Sequence, residues 1–422
     1  MSRDHTPDPR TNRRTFLKTT SALGVVTLGG LAGCSGDGGS DGSDGGSDGS
    51  DGNSDGSDGD SNGGSTGGTD TEAGSGDAAD LREEYGLAEL DYETEDRLNI
   101  FQWGDYWPDD TIGIFEDVYG VTVNVSNYAS NEEMFNKLKS GGTDQYDLIF
   151  PSDYMVNILH GQEMIQALDM SKIPTAGNLS SRFTEAPYDP GEDRYSMPYQ
   201  WGTSGIGYNS DMIGDVDITS WEALWNSEWE GQITMLDDMR EAMAVALKQL
   251  GYSLNTKEES EIMEARDRLI EQKDLLKSYD SSNFPTNLIN EQASPLHGWS
   301  GGVFQAYWET FEDGSSPINY VVPEEGSVVW VDTAAVTVDA KNPNAAHAFI
   351  NYVTNAQIAA KITNYTYYGS PNAAAEEYIS DDVLSNESIY PDEETMQSLE
   401  FIKDLGDATT LYSEAWTEVK NA

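Results

Sequence analysis

One carboxylate in this chain stands where an unattended charge would be costly. Asp332 lies inside Val328-Val329-Trp330-Val331-Asp332-Thr333-Ala334-Ala335-Val336, an apolar run that reads as a buried strand. A buried, unpaired carboxylate costs several kcal/mol, so Asp332 needs a hydrogen-bonding or cationic partner. Basic residues are scarce around it, which leaves a bound cation and a satisfied structural Asp as equal readings. A second acidic pair, Asp238 and Glu241, sits in Leu236-Asp237-Asp238-Met239-Arg240-Glu241, between a strand over 232–236 and a helix running to Leu250. Their spacing is that of a capping box, which accounts for both residues, although two carboxylates there could also converge on a ligand. Aromatic residues keep company with the acids. Trp103-Gly104-Asp105-Tyr106-Trp107-Pro108 packs three aromatic side chains beside an Asp, and Pro151-Ser152-Asp153-Tyr154 repeats the pairing. In the latter, Asp153 reads as a helix N-cap and Tyr154 as a packing residue. Trp299 follows on a loop of small residues, His297-Gly298-Trp299-Ser300-Gly301-Gly302. Acids with Trp and Tyr, and hardly a base among them, suit an organic ammonium ligand. Carboxylates would hold its charged ends and aromatic faces its methylenes, with cation–π attraction of about 0.5–2 kcal/mol each. His160, His297 and His347 have no metal-ligand spacing, so neither a metal nor a cofactor is expected.

The elements that must position these groups are strands alternating with helices. Residues 98–103 read as a strand, 108–119 as a helix, 121–125 as a strand, 131–139 as a helix and 146–150 as a strand, with another helix from Asp153. Repeated βα units argue for an α/β fold with a largely parallel sheet. In such sheets the functional residues lie just past the C-terminal ends of strands, where the aromatic and acidic clusters above fall.

Before this region the chain has a different character. Residues 1–33 read as an export signal: Asn12-Arg13-Arg14-Thr15-Phe16-Leu17-Lys18 matches the twin-arginine pattern, and an apolar stretch from Ala22 to Leu31 is too short to span a bilayer. Leu31-Ala32-Gly33-Cys34 resembles the lipobox of prokaryotic lipoproteins, and Cys34 is the chain's single Cys. A lipid-anchored mature protein beginning at Cys34, on the outer face of the cytoplasmic membrane, is therefore expected. A disulfide framework is excluded. Residues 34–96 read as a tether, almost all Gly, Ser, Asp, Asn and Thr over 35–80, too polar to bury a core. Within it Asp51-Gly52-Asn53-Ser54-Asp55-Gly56 fits half of an EF-hand loop, but the closing Glu is absent, Asn62 taking its place, and a solvated spacer is the stronger reading.

The 422 residues carry 23 Lys plus Arg against 75 Asp plus Glu, a net charge of −52. Phosphate contacts need clustered bases, so a nucleic-acid partner is excluded. Residues 81–422 alone carry 18 basic and 61 acidic residues, far more acid than one cleft employs. Such a spread is salt adaptation of the whole surface. At around 1 M salt the Debye length is about 3 Å, so this surface would not steer a cation from a distance.

Further stretches complete a family pattern: Tyr146-Asp147-Leu148-Ile149-Phe150-Pro151-Ser152, Met197-Pro198-Tyr199-Gln200-Trp201-Gly202, Ser220-Trp221-Glu222-Ala223-Leu224-Trp225 and Gly369-Ser370-Pro371-Asn372. With Trp103-Gly104-Asp105-Tyr106, Leu236 to Glu241 and Trp330-Val331-Asp332, they make the chain from about Leu98 to Ala422 resemble the spermidine/putrescine-binding proteins of ABC importers. These are extracellular solute-binding proteins of the periplasmic type II fold. The resemblance implies two α/β lobes closing on a ligand, lobe one over 97–203 plus 331–380 and lobe two over 204–330 plus 381–422. It also implies acidic contacts from Asp105, Asp238, Glu241 and Asp332, aromatic walls from Trp103, Tyr106, Tyr154, Trp299, Trp330 and Tyr368, and Ser152 as a polar neighbour. The partners implied are a polyamine, a membrane permease and its ATPase, with the binding protein monomeric. Three positions depart from the pattern. Gly104 replaces a hydroxyl-bearing residue, Asp153 is an added acid, and Ile402 stands where a polar amide is expected, which bears on spermidine versus putrescine. Two alternatives stay open: the same fold serving another small solute, such as a different cationic metabolite or an iron or thiamine-type ligand, and an exported enzyme. The second is weak, because Gly202-Thr203-Ser204-Gly205 lacks nucleophile-elbow spacing and no Ser/His/Asp set is evident. An enzyme is not expected.

Overall fold

A computed structural model describes residues 78–422, apart from 105, 186–187, 190–192 and 215. The export signal, Cys34, the half-loop at 51–56 and the tether up to residue 77 lie outside the described residues, as does Asp105. The strands are β1 (Arg97–Trp103), β2 (Thr122–Tyr128), β3 (Leu148–Ile149), β4 (Met197–Asn209), β5 (Ile233–Met235), β6 (Leu276–Tyr279), β7 (Leu296–Trp299), β8 (Ile318–Val321), β9 (Val328–Val336) and β10 (Glu400–Phe401). They run in the order β2-β1-β3-β9-β4-β7-β5-β6, with β10 beside β9 and β8 beside β4.

The expected parallel pairing holds on both flanks, β1 with β2 and β3, and β5 with β6 and β7. It fails at the centre, where β4 and β9 run antiparallel to each other and β9 runs antiparallel to β3. The cause is the 13-residue β4, which changes partner half-way. Met197 to Thr203 pairs with β9, and Ser204 to Asn209 pairs with β7 and β8. One strand therefore belongs to two groups of strands. Its glycines permit the close packing this needs: a Cβ at Gly202 would lie 2.6 Å from the Trp330 ring, and one at Gly205 2.4 Å from the Val321 carbonyl oxygen.

The helices that position the site are α1 (Ala78–Tyr85), α2 (Asp110–Tyr119), α3 (Asn131–Lys137), α4 (Asp153–Gly161), α5 (Met239–Gln249), α6 (Ser300–Glu309), α7 (Pro343–Val353) and α8 (Ala356–Thr366). One core gathers β1, α2 and α7, with the Phe115 ring 4.9 Å from Phe349. A separate core gathers Trp221, Met235, Leu247 and Tyr412 around α5. Residues 78–96, expected to end the tether, instead join the first core. Leu87 is buried, and Leu81, Tyr85, Leu90 and Tyr92 pack beside it. That handful of apolar residues is enough to bind the segment down, at roughly 1.5–3 kcal/mol per fully buried large side chain. The helix expected over 131–139 ends at Lys137, and a π turn at Leu138–Gly142 carries the chain on.

Candidate functional site

Asp332 lies mid-way along β9, 6% exposed, and its partners are hydroxyl groups. The Tyr106 hydroxyl donates to Oδ2, and Ser152 Oγ donates to Oδ1 at 2.7 Å. Ser152 is itself fixed from both sides by Asn131, whose Nδ2 donates to Ser152 Oγ at 3.0 Å and whose Oδ1 accepts from the Ser152 N–H at 3.1 Å. A chain of donors thus runs from Asn131 through Ser152 to the carboxylate, each bond polarising the next. Burial raises the Asp332 carboxyl to about 6, and the Tyr106 and Ser152 hydroxyls, with the Gln200 side chain, oppose that rise. The hydroxyls hold the carboxylate in shape, and among the described residues no Lys or Arg forms an ion pair with it.

The other acidic pair is built on the N-terminus of α5. Asp238 is the N-cap: its Oδ1 accepts from the Arg240 N–H at 2.9 Å and the Glu241 N–H at 3.0 Å. Burial, with Glu132 and Glu241 nearby, raises Asp238 to about 7. Glu241 does not return the capping bond. Its Oε1 accepts from Trp299 Nε1 at 3.1 Å instead, so only half of the capping box forms. The base beside them, Arg240, turns away. Its guanidinium donates to the Lys403 carbonyl at 2.9 Å and to Asn255 Oδ1 at 3.1 Å, and lies over the Tyr412 ring. That lacing fixes residues 401–403 and holds Ile402 against the site.

Between these carboxylates is a cavity of about 480 Å³. Trp103, Tyr106, Ser152, Tyr154, Asp238, Glu241, Trp299, Trp330, Asp332 and Tyr368 all line it. Trp103 and Trp299 meet edge to face at 6.4 Å, and Trp330 and Tyr368 at 4.8 Å. Trp103 Nε1 is anchored on the Phe150 carbonyl at 3.0 Å, and the Tyr154 hydroxyl donates to Glu132 at 3.1 Å. The wall is rigid, apolar on its faces and anionic at separate points, which is the chemistry of a site for an elongated organic cation. Among the described residues no group of three or more His, Cys, Asp or Glu could hold a metal ion, and no helix is long and apolar enough to cross a membrane.

Residues 111–392 match the family described as bacterial extracellular solute-binding protein. The spermidine/putrescine-binding periplasmic protein of Salmonella typhimurium is 34% identical over 335 residues, covering 79% of this chain and 94% of that protein. Its Escherichia coli namesake is 33% identical over the same length, with the same coverage. The chain belongs to the bacterial extracellular solute-binding proteins. Among solved members, the Tp0655 (TpPotD) lipoprotein of Treponema pallidum has 31% identity and a TM-score of 0.68, covering 77% of this chain and 99% of that one. The spermidine/putrescine ABC transporter substrate-binding protein PotD of Streptococcus pneumoniae has 32% identity and a TM-score of 0.65, covering 78% and 99%. The fold is the two-lobed periplasmic type II fold of such solute-binding proteins, whose helix-flanked sheets meet here through β4 and β9.

Within this solute-binding fold, strand ends supply most of the site, as expected for α/β sheets. Trp103 ends β1, Ser152 follows β3, Asp238 follows β5 and Trp299 ends β7. Two stretches differ from their expected part: residues 297–302, expected as a loop, are the end of β7 and the start of α6, with Trp299 at the helix N-cap, and Asp153 takes another role. Asp153 is not the N-cap of α4. Ser152 holds that position, and the Asp153 carboxyl is 1% exposed, accepting from the Tyr154 N–H at 2.7 Å and the Val331 N–H at 3.4 Å. Burial pushes it well above the usual carboxylate range. Asn131, Tyr128, Phe284 and Gln305 also face the cavity and were not singled out from sequence. Of these only Asn131 left a trace, as the residue after the Ser130 cap that starts α3.

Proposed function

We propose that this protein captures polyamines, spermidine or putrescine, and delivers them to an ABC importer. The observation that carries this reading is Asp332: a buried carboxylate kept ionisable by hydroxyl donors, facing an aromatic cavity whose far acids are Asp238 and Glu241. An ammonium group placed there replaces its hydration with a charge-assisted bond, and the Trp and Tyr faces cover its methylenes. Relatives named for spermidine and putrescine at a third identity support the ligand class. The proposed contacts are the ten lining residues named above, with Asp105, which follows β1 in the sequence. Lobe one then comprises 97–203 plus 331–380, and lobe two 204–330 plus 381–422, closing by a hinge. The chain binds and does not catalyse.

With export by the twin-arginine route and lipidation at Cys34, the protein would be anchored to the outer face of the cytoplasmic membrane, as a monomer partnering a permease and its ATPase. The Treponema pallidum neighbour being a lipoprotein supports the anchor. The acidic surface suits a salt-rich milieu. Calorimetry in about 1 M salt tests the ligand: 1:1 binding of spermidine or putrescine is expected, and heat from an unrelated solute with neither amine binding overturns it.

A further inference from the structure

Behind Glu241, on the side away from the cavity, lies a residue the binding chemistry above leaves unused. His297 is on β7, paired with Ile206 of β4, and only 1% exposed. Its ring meets Trp221 edge to face at 5.4 Å. Among the described residues neither ring nitrogen has a hydrogen-bond partner, although a neutral imidazole always carries one N–H and one acceptor. Buried polar groups are rarely left so, because an unmade bond costs the whole desolvation of the group. An acceptor, Glu241 Oε2, lies 3.6 Å from His297 Nε2, and among the described residues that oxygen is also without a partner. Two orphaned atoms of complementary chemistry therefore face each other just beyond bonding distance. The small pocket that both residues line, with Trp221, Lys248 and Ser327 among its other walls, is too small to admit a water. The other donors around it are engaged, Lys248 with Glu400 at 3.0 Å, Trp221 Nε1 with the Gly326 carbonyl at 3.0 Å and Ser327 Oγ with the Ser204 carbonyl at 2.5 Å, which leaves His297 as the donor available to Glu241 Oε2.

We propose that His297 is a positioning residue for the ligand: its Nε2–H donates to Glu241 Oε2 and, with Trp299 Nε1 on Oε1, clamps the carboxylate in the orientation that meets an ammonium group. The gap closes by a few tenths of an ångström of movement in α5, which carries Glu241 on its first turn. The clamp fixes one rotamer of Glu241 before the cation arrives, so less is lost on binding. The part concerning the ligand rests on Glu241 being an amine contact. The tautomer and the bond it makes do not.

The test has two arms. In the first, His297→Leu removes the donor at similar volume, and His297→Gln keeps one. Calorimetry with spermidine and with putrescine is expected to show about tenfold weaker binding for the Leu variant and recovery to within about threefold for the Gln variant. Equal affinity for native and Leu variants of matched melting temperature overturns the proposal. The second arm needs no ligand and no variant that folds poorly. Nitrogen-detected imidazole spectra of the native protein are expected to show His297 as the Nε2–H tautomer with a shifted, slowly exchanging proton, and an Nδ1–H tautomer overturns the clamp. If the native protein binds neither polyamine, the functional reading falls while the tautomer still decides the His297–Glu241 bond.

Discussion

The cleft holds its acids in two different ways. Asp332 is carried by a central strand and held by side-chain hydroxyls, whereas Asp238 and Glu241 are carried by a helix N-terminus and held by backbone amides and an indole. At the helix, the Asp238 carboxylate also satisfies two amides that would otherwise lack partners, so it serves the fold as well as the ligand. At the strand, the backbone is already satisfied by its neighbours and the carboxylate does nothing for the sheet. Asp332 is a cost the free protein carries. The two ends should therefore separate under mutation: loss at the strand end should be a loss of binding alone, loss at the helix end a loss of binding and stability together.

The largest effect is expected from Asp332→Asn. Removing the buried charge opposite an ammonium should weaken spermidine or putrescine binding by about a hundredfold or more, since breaking one partner of a buried charge pair costs about 3–5 kcal/mol. The melting temperature of the free protein should hold or rise, because a desolvated charge has gone. Calorimetry and thermal melts on the same samples check both. A large fall in melting temperature with affinity intact would make Asp332 a structural residue and erase the contrast.

Next comes Asp238→Ala, which should weaken binding about tenfold and also cost about 1 kcal/mol of stability through the lost cap. If it changes binding without touching stability, the helix end behaves like the strand end.

Acid titration sharpens the same comparison. Asp332 is raised to about 6 and Asp238 to about 7. A carboxyl raised in the folded state binds its proton more tightly than in the unfolded chain. Its contribution to stability is thus present below the unfolded value near 4 and lost as pH rises through 6 to 7. Ligand binding needs the ionised forms and runs the other way. Affinity should be highest above pH 7 and fall by about tenfold per group for each unit below its value. Calorimetry at pH 5 and pH 8, in buffers of different ionisation enthalpy, should show proton release on binding near pH 6.5. In Asp332→Asn the inflection near 6 should vanish and the one near 7 persist.

The sequence disclosed the strand end more clearly than the helix end, for physical reasons. An Asp in an unbroken apolar run is conspicuous, and the structure makes β9 over the same nine residues, Val328–Val336. Asp238 and Glu241 were hidden behind a capping pattern that explained them too well, and only the Trp299 bond to Glu241 shows where the second acid turns. The α2 and α5 helices and strands β1, β2, β3 and β5 are legible in the sequence, whereas β6, β7, β8 and β10 are too short to carry a pattern of their own. β4 is not legible either, because Gly202, Gly205 and Gly207 erase any alternation and both faces are buried. The joint between the two groups of strands was thus invisible to pattern. Residues 78–96 were missed because a polar tether runs into them without a clear break, and their few apolar side chains gain meaning only against α2. Asn131 was missed because its role depends on Ser152, 21 residues away.

The smallest expected effect probes the strand end from its second row. Ser152→Ala removes the donor to Asp332 Oδ1 and leaves Tyr106 on Oδ2. A lost hydrogen bond to a charged group costs about 1.5–3 kcal/mol when the charge stays, but here the carboxyl can take up a proton instead. The loss should therefore surface mainly in the titration: the inflection assigned to Asp332 should move above 6, while affinity at pH 8 falls only about threefold to tenfold. The corresponding change at the helix end, Trp299→Phe, removes the donor to Glu241 Oε1 and should leave that inflection in place. If Ser152→Ala moves neither the inflection nor the affinity, Tyr106 and Gln200 sustain Asp332 without it, and the relay from Asn131 serves the β3–α4 turn instead of the site.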